Sequence, residues 1–126
     1  MIAVDTNIVS ALLRGEPVKL PNDELFIPYM VATEIQAGIA AGNNPSKNIT
    51  LCNTFLNNRN ITTSPGLKPD LIPFYVQIYS YLKAKGTPIS PNDVWIAAEC
   101  MQLSLSLLTR DKDFSYVPQI ILVDAP

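Results

Sequence analysis

Five carboxylates fall where they could work as one group. Asp5 closes the apolar run IAVD, and Asp111 and Asp113 follow the apolar run LSLLT. Asp93 comes three residues after Ser90, and Glu34 lies within ATEIQAG. Gathered carboxylates repel one another, and a cation relieves that cost. An oxygen-only donor set suits Mg²⁺ or Mn²⁺. Such an ion lowers the pKa of a coordinated water and so replaces a histidine base. That matters here, because the chain has no histidine. Ser-His-Asp and Cys-His units and His-ligated metals are thereby excluded. The two cysteines, Cys52 and Cys100, form no CxxC pair and read as small core residues.

A sheet has to bring these acids together. IAVD at 2–5 reads as a strand, and TNIVSALLRGE as a helix stopped by Gly15. ELFIP at 24–28 is a second strand, and Tyr29 to Gly42 a helix with apolar residues at Val31, Ile35 and Ile39. A further helix is predicted over 47–59, a strand at ITTS 61–64, and a helix from Leu67 to Lys85 with Pro69 in its first turn. SPNDVWIAAECMQL opens as a helix with Ser90 as cap and Pro91 at its first position. Its middle, VWIAA, is apolar on nearly every side and should be sandwiched, with Trp95 in the core. LSLLT at 105–109 and QIILV at 119–123 complete the strands. Short apolar strands alternating with helices predict one three-layer α/β/α sandwich over 1–126, with a central, mainly parallel sheet. Such sheets bind ligands beyond the carboxyl ends of their strands, where Asp5, Asp111 and Asp113 fall. Glu34 borders the apolar stripe of its helix, between Val31 and Gly38, so its carboxylate can reach inward.

Each acid also has an ordinary structural reading. Asp5 can cap the helix after it, Asp93 can complete a capping box with Ser90, Asp111 and Asp113 can form a turn, and Glu34 can be solvated. Against these stands the convergence of four separate elements on one sheet edge. The charge balance fits that convergence. Net charge is −2, from 11 acids and 9 bases, which argues against a basic nucleic-acid binder. Setting aside Asp5, Glu34, Asp93 and Asp111 leaves seven acids against nine bases. Arg14, Lys83, Lys85, Arg110 and Lys112 could then form a rim for phosphates. No apolar run is long enough for a membrane span, and the start MIAVDTN lacks the basic region of a signal peptide. The expectation is a cytoplasmic protein.

The order VDTNIV, ATEIQAG, PNDVWIAA and LLTRDKDF, with Gly86 and Ile89 leading to Asp93, resembles the PIN-domain ribonucleases along essentially the whole chain. Within them it looks most like the VapC-type toxins of toxin–antitoxin pairs. The resemblance implies a PIN-like fold, a Mg²⁺ or Mn²⁺ cofactor and hydrolysis of RNA phosphodiesters. It assigns the catalytic acids to Asp5, Glu34, Asp93 and Asp111, with Asp5, Asp93 and Asp111 as metal ligands. Thr6, Asn7, Thr109 and Asp113 would support them. It also implies a small antitoxin partner and a homodimer. Phe74, Tyr75, Tyr79 and Tyr81 on the 67–85 helix could form a contact surface, or serve as core and dimer interface. Two rivals are a free-standing nuclease and a module that acts mainly by holding a partner. A phosphatase with a nucleophilic D-x-D is disfavoured, because Asp5-Thr6-Asn7 lacks the second acid.

Overall fold

Apolar triplets build the sheet. The strands β1 (Ile2–Val4) and β2 (Leu25–Ile27) are buried at all three positions. An unbroken buried triplet leaves no face for water, so helices have to cover both sides. The computed structural model describes residues 1–21 and 24–124. It adds β3 (Ile61–Thr63), β4 (Leu107–Thr109) and β5 (Leu122–Asp124). Every pairing among the five is parallel, in the order β3-β2-β1-β4-β5. Ala3 of β1 lies level with Phe26 on one side and Leu107 on the other.

The helices α1 (Thr6–Leu13), α2 (Tyr29–Ala41), α3 (Pro45–Leu56), α4 (Ile72–Lys85) and α5 (Pro91–Leu103) flank this sheet. The three-layer α/β/α architecture predicted from the alternation is the one observed. α5 packs against both α4 and α2. Val94, Ile96, Ala97, Ala98 and Cys100 are all buried along it, as the VWIAA pattern requires. Trp95 is half-buried and tilts against Tyr75 of α4, with ring centroids 4.2 Å apart. Both cysteines are free and buried, and burial pushes the Cys100 thiol up to about 12. No helix among the described residues is long and apolar enough to cross a membrane.

Boundaries depart from the sequence pattern where prolines and turns intervene. The predicted 67–85 helix splits into a 3₁₀ turn at Pro69–Leu71 and then α4. Pro73 is tolerated because it falls in the first turn, where no backbone donor is needed. α3 starts at Pro45, earlier than predicted, because proline presets the first helical φ. β5 begins at Leu122 and not at Gln119. Ile120 is buried, yet its backbone N–H still closes a turn onto the Val117 carbonyl. Its apolar character thus reflects packing of a turn and not a ladder position.

Candidate metal centre

The strand order reverses direction between β1 and β4, and the crevice beyond their carboxyl ends is where such a sheet leaves room for a ligand. Asp5 follows β1 directly and is buried. It is the N-cap of α1, accepting from the Thr6 N–H at 2.7 Å. It also accepts from the Thr109 hydroxyl at 2.6 Å and the Asn7 amide at 3.3 Å. Burial raises its pKa, and the Thr109 hydroxyl is the largest influence holding it down. Asn7 reaches across the crevice to accept the Arg110 N–H at 3.2 Å, while the Thr109 hydroxyl accepts the Asp111 N–H at 3.0 Å. The end of β4 is therefore pinned to the start of α1. No spacing in the sequence marks the Asn7–Arg110 bridge, since it joins positions 103 apart.

Asp93 enters from α5. Its N–H donates to the Ser90 hydroxyl at 3.2 Å, so the cap is real. Its carboxylate is half-buried and its pKa is raised to about 6, by burial first and then by Asp5, with smaller contributions from Asp111 and Glu34 and the Ser90 hydroxyl opposing. Asp111 caps a 3₁₀ turn at Lys112–Tyr116, accepting from the Asp113 N–H at 2.9 Å. Phe114, fully buried, ties that turn to the core. One carboxylate oxygen each from Asp93, Asp111 and Asp113 lies within 4.8 Å of the others. Asp111 and Asp113 are therefore turn formers and cluster members at once.

Glu34 arrives from the second turn of α2 and accepts the Thr6 hydroxyl at 3.0 Å. With Thr6 it borders a groove of about 460 Å³, whose walls include Leu13, Arg14, Ile35 and Leu51. Arg14 and Arg110 both pair with Glu16, each at 3.1 Å. Lys83 and Lys85 close the last turn of α4, with Lys85 5.8 Å from the centre of the Tyr81 ring.

The donor set fits a hard divalent cation. Oxygens bound about 2.1 Å from one ion fall within the spacing that Asp93, Asp111 and Asp113 already show. The Asp93 pKa is raised by burial first and then by the Asp5 charge, with Asp111 and Glu34 adding less, and a cation would offset the cost of holding that carboxylate ionised. Asp5 lies outside that trio, with its carboxylate engaged by three donors.

Fold and acids together define a known class. The PIN domain family model matches residues 2–120, and the chain belongs to that family. Its relatives narrow the likeness. Ribonuclease VapC1 of Haemophilus influenzae (strain R2866) is 27% identical over 128 residues, spanning 93% of this chain and 92% of that protein. Toxin FitB of Neisseria gonorrhoeae is 29% identical over 126 residues, spanning 88% of each. Among solved structures, VapBC-1 from nontypeable Haemophilus influenzae superposes with a TM-score of 0.81 at 26% identity, over 98% of both chains.

Proposed function

We propose that this chain is a Mg²⁺- or Mn²⁺-dependent endoribonuclease, the toxin of a toxin–antitoxin pair. The observation that carries the reading is the convergence of Asp93, Asp111 and Asp113 within 4.8 Å, beside Asp5 and Glu34, at the strand-order reversal. Asp93 and Asp111 would hold the ion, joined by Asp113 and by the remaining lone pairs of Asp5. Bound there, Mg²⁺ or Mn²⁺ would acidify a water and offset charge building on the phosphoryl oxygens. Glu34, oriented by the Thr6 hydroxyl, would align the attacking water and take its proton. Thr109 and Asn7 hold Asp5 and the Asp111 backbone in register. The names of the relatives support RNA as substrate. Purified protein should cleave structured RNA with Mn²⁺ and stop on chelation. Cleavage that persists undiminished in chelator would sink the metal assignment.

The antitoxin partner is supported by the toxin and VapBC likenesses and by the groove beside Glu34. A partner segment lying there would meet apolar walls at Leu13 and Ile35 and acidic groups at its end. A homodimer is supported by α4, where Ile72, Val76 and Tyr79 form one stripe and are 52%, 51% and 48% exposed. Phe74 and Tyr75, half-buried, pack against the core instead. Val76→Asp should convert the protein to monomer in light scattering. An unchanged mass would place the interface elsewhere.

A further inference from the structure

Glu99 is a buried carboxylate that the proposed chemistry does not use. It lies in α5 between Ala98 and Cys100, in a stretch otherwise apolar, and is 4% exposed. A buried charge is costly unless it is paired by hydrogen bonds. Its partners come from two other elements. The Tyr29 N–H, at the start of α2, donates to it at 2.8 Å, and the Ser64 hydroxyl just beyond β3 also bonds it. α2 lacks the usual means of satisfying its first turn. Its cap position is Pro28, with no side-chain acceptor, and the first turn holds no acid. A carboxylate from another helix supplies both the acceptor and the favourable charge at the positive helix end.

We propose that Glu99 is the N-terminal cap of α2, donated in trans by α5, and thereby a positioning residue for Glu34. The two helices joined by this contact are the two that deliver acids from outside the β1–β4 edge, Asp93 on α5 and Glu34 on α2. The Thr6 hydroxyl holds Glu34 itself, and Glu99 holds the start of its helix. Fixing both points sets where the Glu34 carboxylate meets the acid cluster. The inference rests on the nuclease reading above.

The test contrasts two conservative substitutions. Glu99→Gln keeps the acceptor at full reach, whereas Glu99→Asp keeps the charge and loses a methylene of reach. Glu99→Gln should retain most of kcat in Mn²⁺-dependent RNA cleavage. Glu99→Asp should lose roughly tenfold or more in kcat with KM unchanged, the scale of misplacing a supporting group. In a Glu34→Gln background, Glu99→Asp should cost no further activity, because both changes act through one carboxylate. Wild-type kcat in Glu99→Asp would overturn the inference. So would the same loss in the Glu34→Gln background, which would make Glu99 a support of the fold alone. A wild type no more active than Asp93→Asn would instead overturn the nuclease reading itself.

Discussion

Asp93→Asn should sharply reduce RNA cleavage and at the same time raise the melting temperature of the metal-free protein. The two effects share one cause. Asp93 has its pKa raised to about 6, by burial first and then by the Asp5 charge. The folded pKa stands above the ordinary carboxylate value, so the fold binds this proton more tightly than the unfolded chain does. The contribution to stability is therefore favourable at low pH and is lost as pH rises through about 6. At neutral pH the ionised side chain is a burden that asparagine, equal in shape and neutral, removes. Discounted for solvent screening of a half-buried group, the gain is about 1–2 kcal/mol. Added Mn²⁺ should reverse the ranking, because it stabilises only the protein that binds it. In the wild type, Mn²⁺ binding followed by calorimetry should weaken below about pH 6, where proton and ion compete for the same carboxylate. Activity should fall roughly a thousandfold, well beyond the loss expected from a supporting residue. An Asp93→Asn variant that melts lower without metal would show that repulsion does not dominate at this site.

How much of this could be read from the chain alone depends on the range over which each feature is encoded. Strand and helix identity was legible because hydrophobic period is local, and IAVD, ELFIP and LLT sit where those patterns put them. The places where Asp5, Asp93 and Asp111 emerge were legible for the same reason, since Asp5 and Asp111 follow strands and Asp93 falls in the first turn of a helix, whereas Glu34 lies in the second turn of α2 and is marked only by its position beside the apolar stripe. Asp113 was harder to read, because a DxD after a strand is an ordinary turn. Only the fold reveals that the Asp111 cap turns Asp113 back toward Asp93. Glu99 was written in the sequence as a charge inside an apolar helix, but its partners Tyr29 and Ser64 are remote and carry no motif. The start of β5 was misplaced because Ile120 and Ile121 continue an apolar run through a turn, and period alone does not separate turn packing from a ladder. Local chemistry thus predicts where acids emerge, while hydrogen bonds between distant segments decide which oxygens meet.

The second large effect lies one residue beyond the cluster. Phe114 is fully buried beneath the 3₁₀ turn that holds Asp111 as its cap and Asp113 in its first turn. Phe114→Ala should cost about 3–5 kcal/mol in urea unfolding, the usual range for emptying an aromatic site in a packed core. For a domain of this size that is a large share of the total stability. The loss should also reach the metal centre. Two of its three clustered carboxylates sit at the start of this turn, Asp111 as its cap and Asp113 within it, and Phe114 is the side chain of the turn that is buried in the core. Phe114→Leu separates the two consequences, since it leaves an apolar anchor and a smaller void. It should lose less stability, about 1–2 kcal/mol, and still bind Mn²⁺ more weakly than wild type, because the turn is held less firmly. Calorimetry on a protein shown folded by circular dichroism reads the second effect free of the first. Wild-type Mn²⁺ affinity in both variants would mean that the Asp111–Asp113 hydrogen bond and the Thr109 contact set the turn unaided. The expected weakening would instead make the hydrophobic core itself the device that aims the carboxylates.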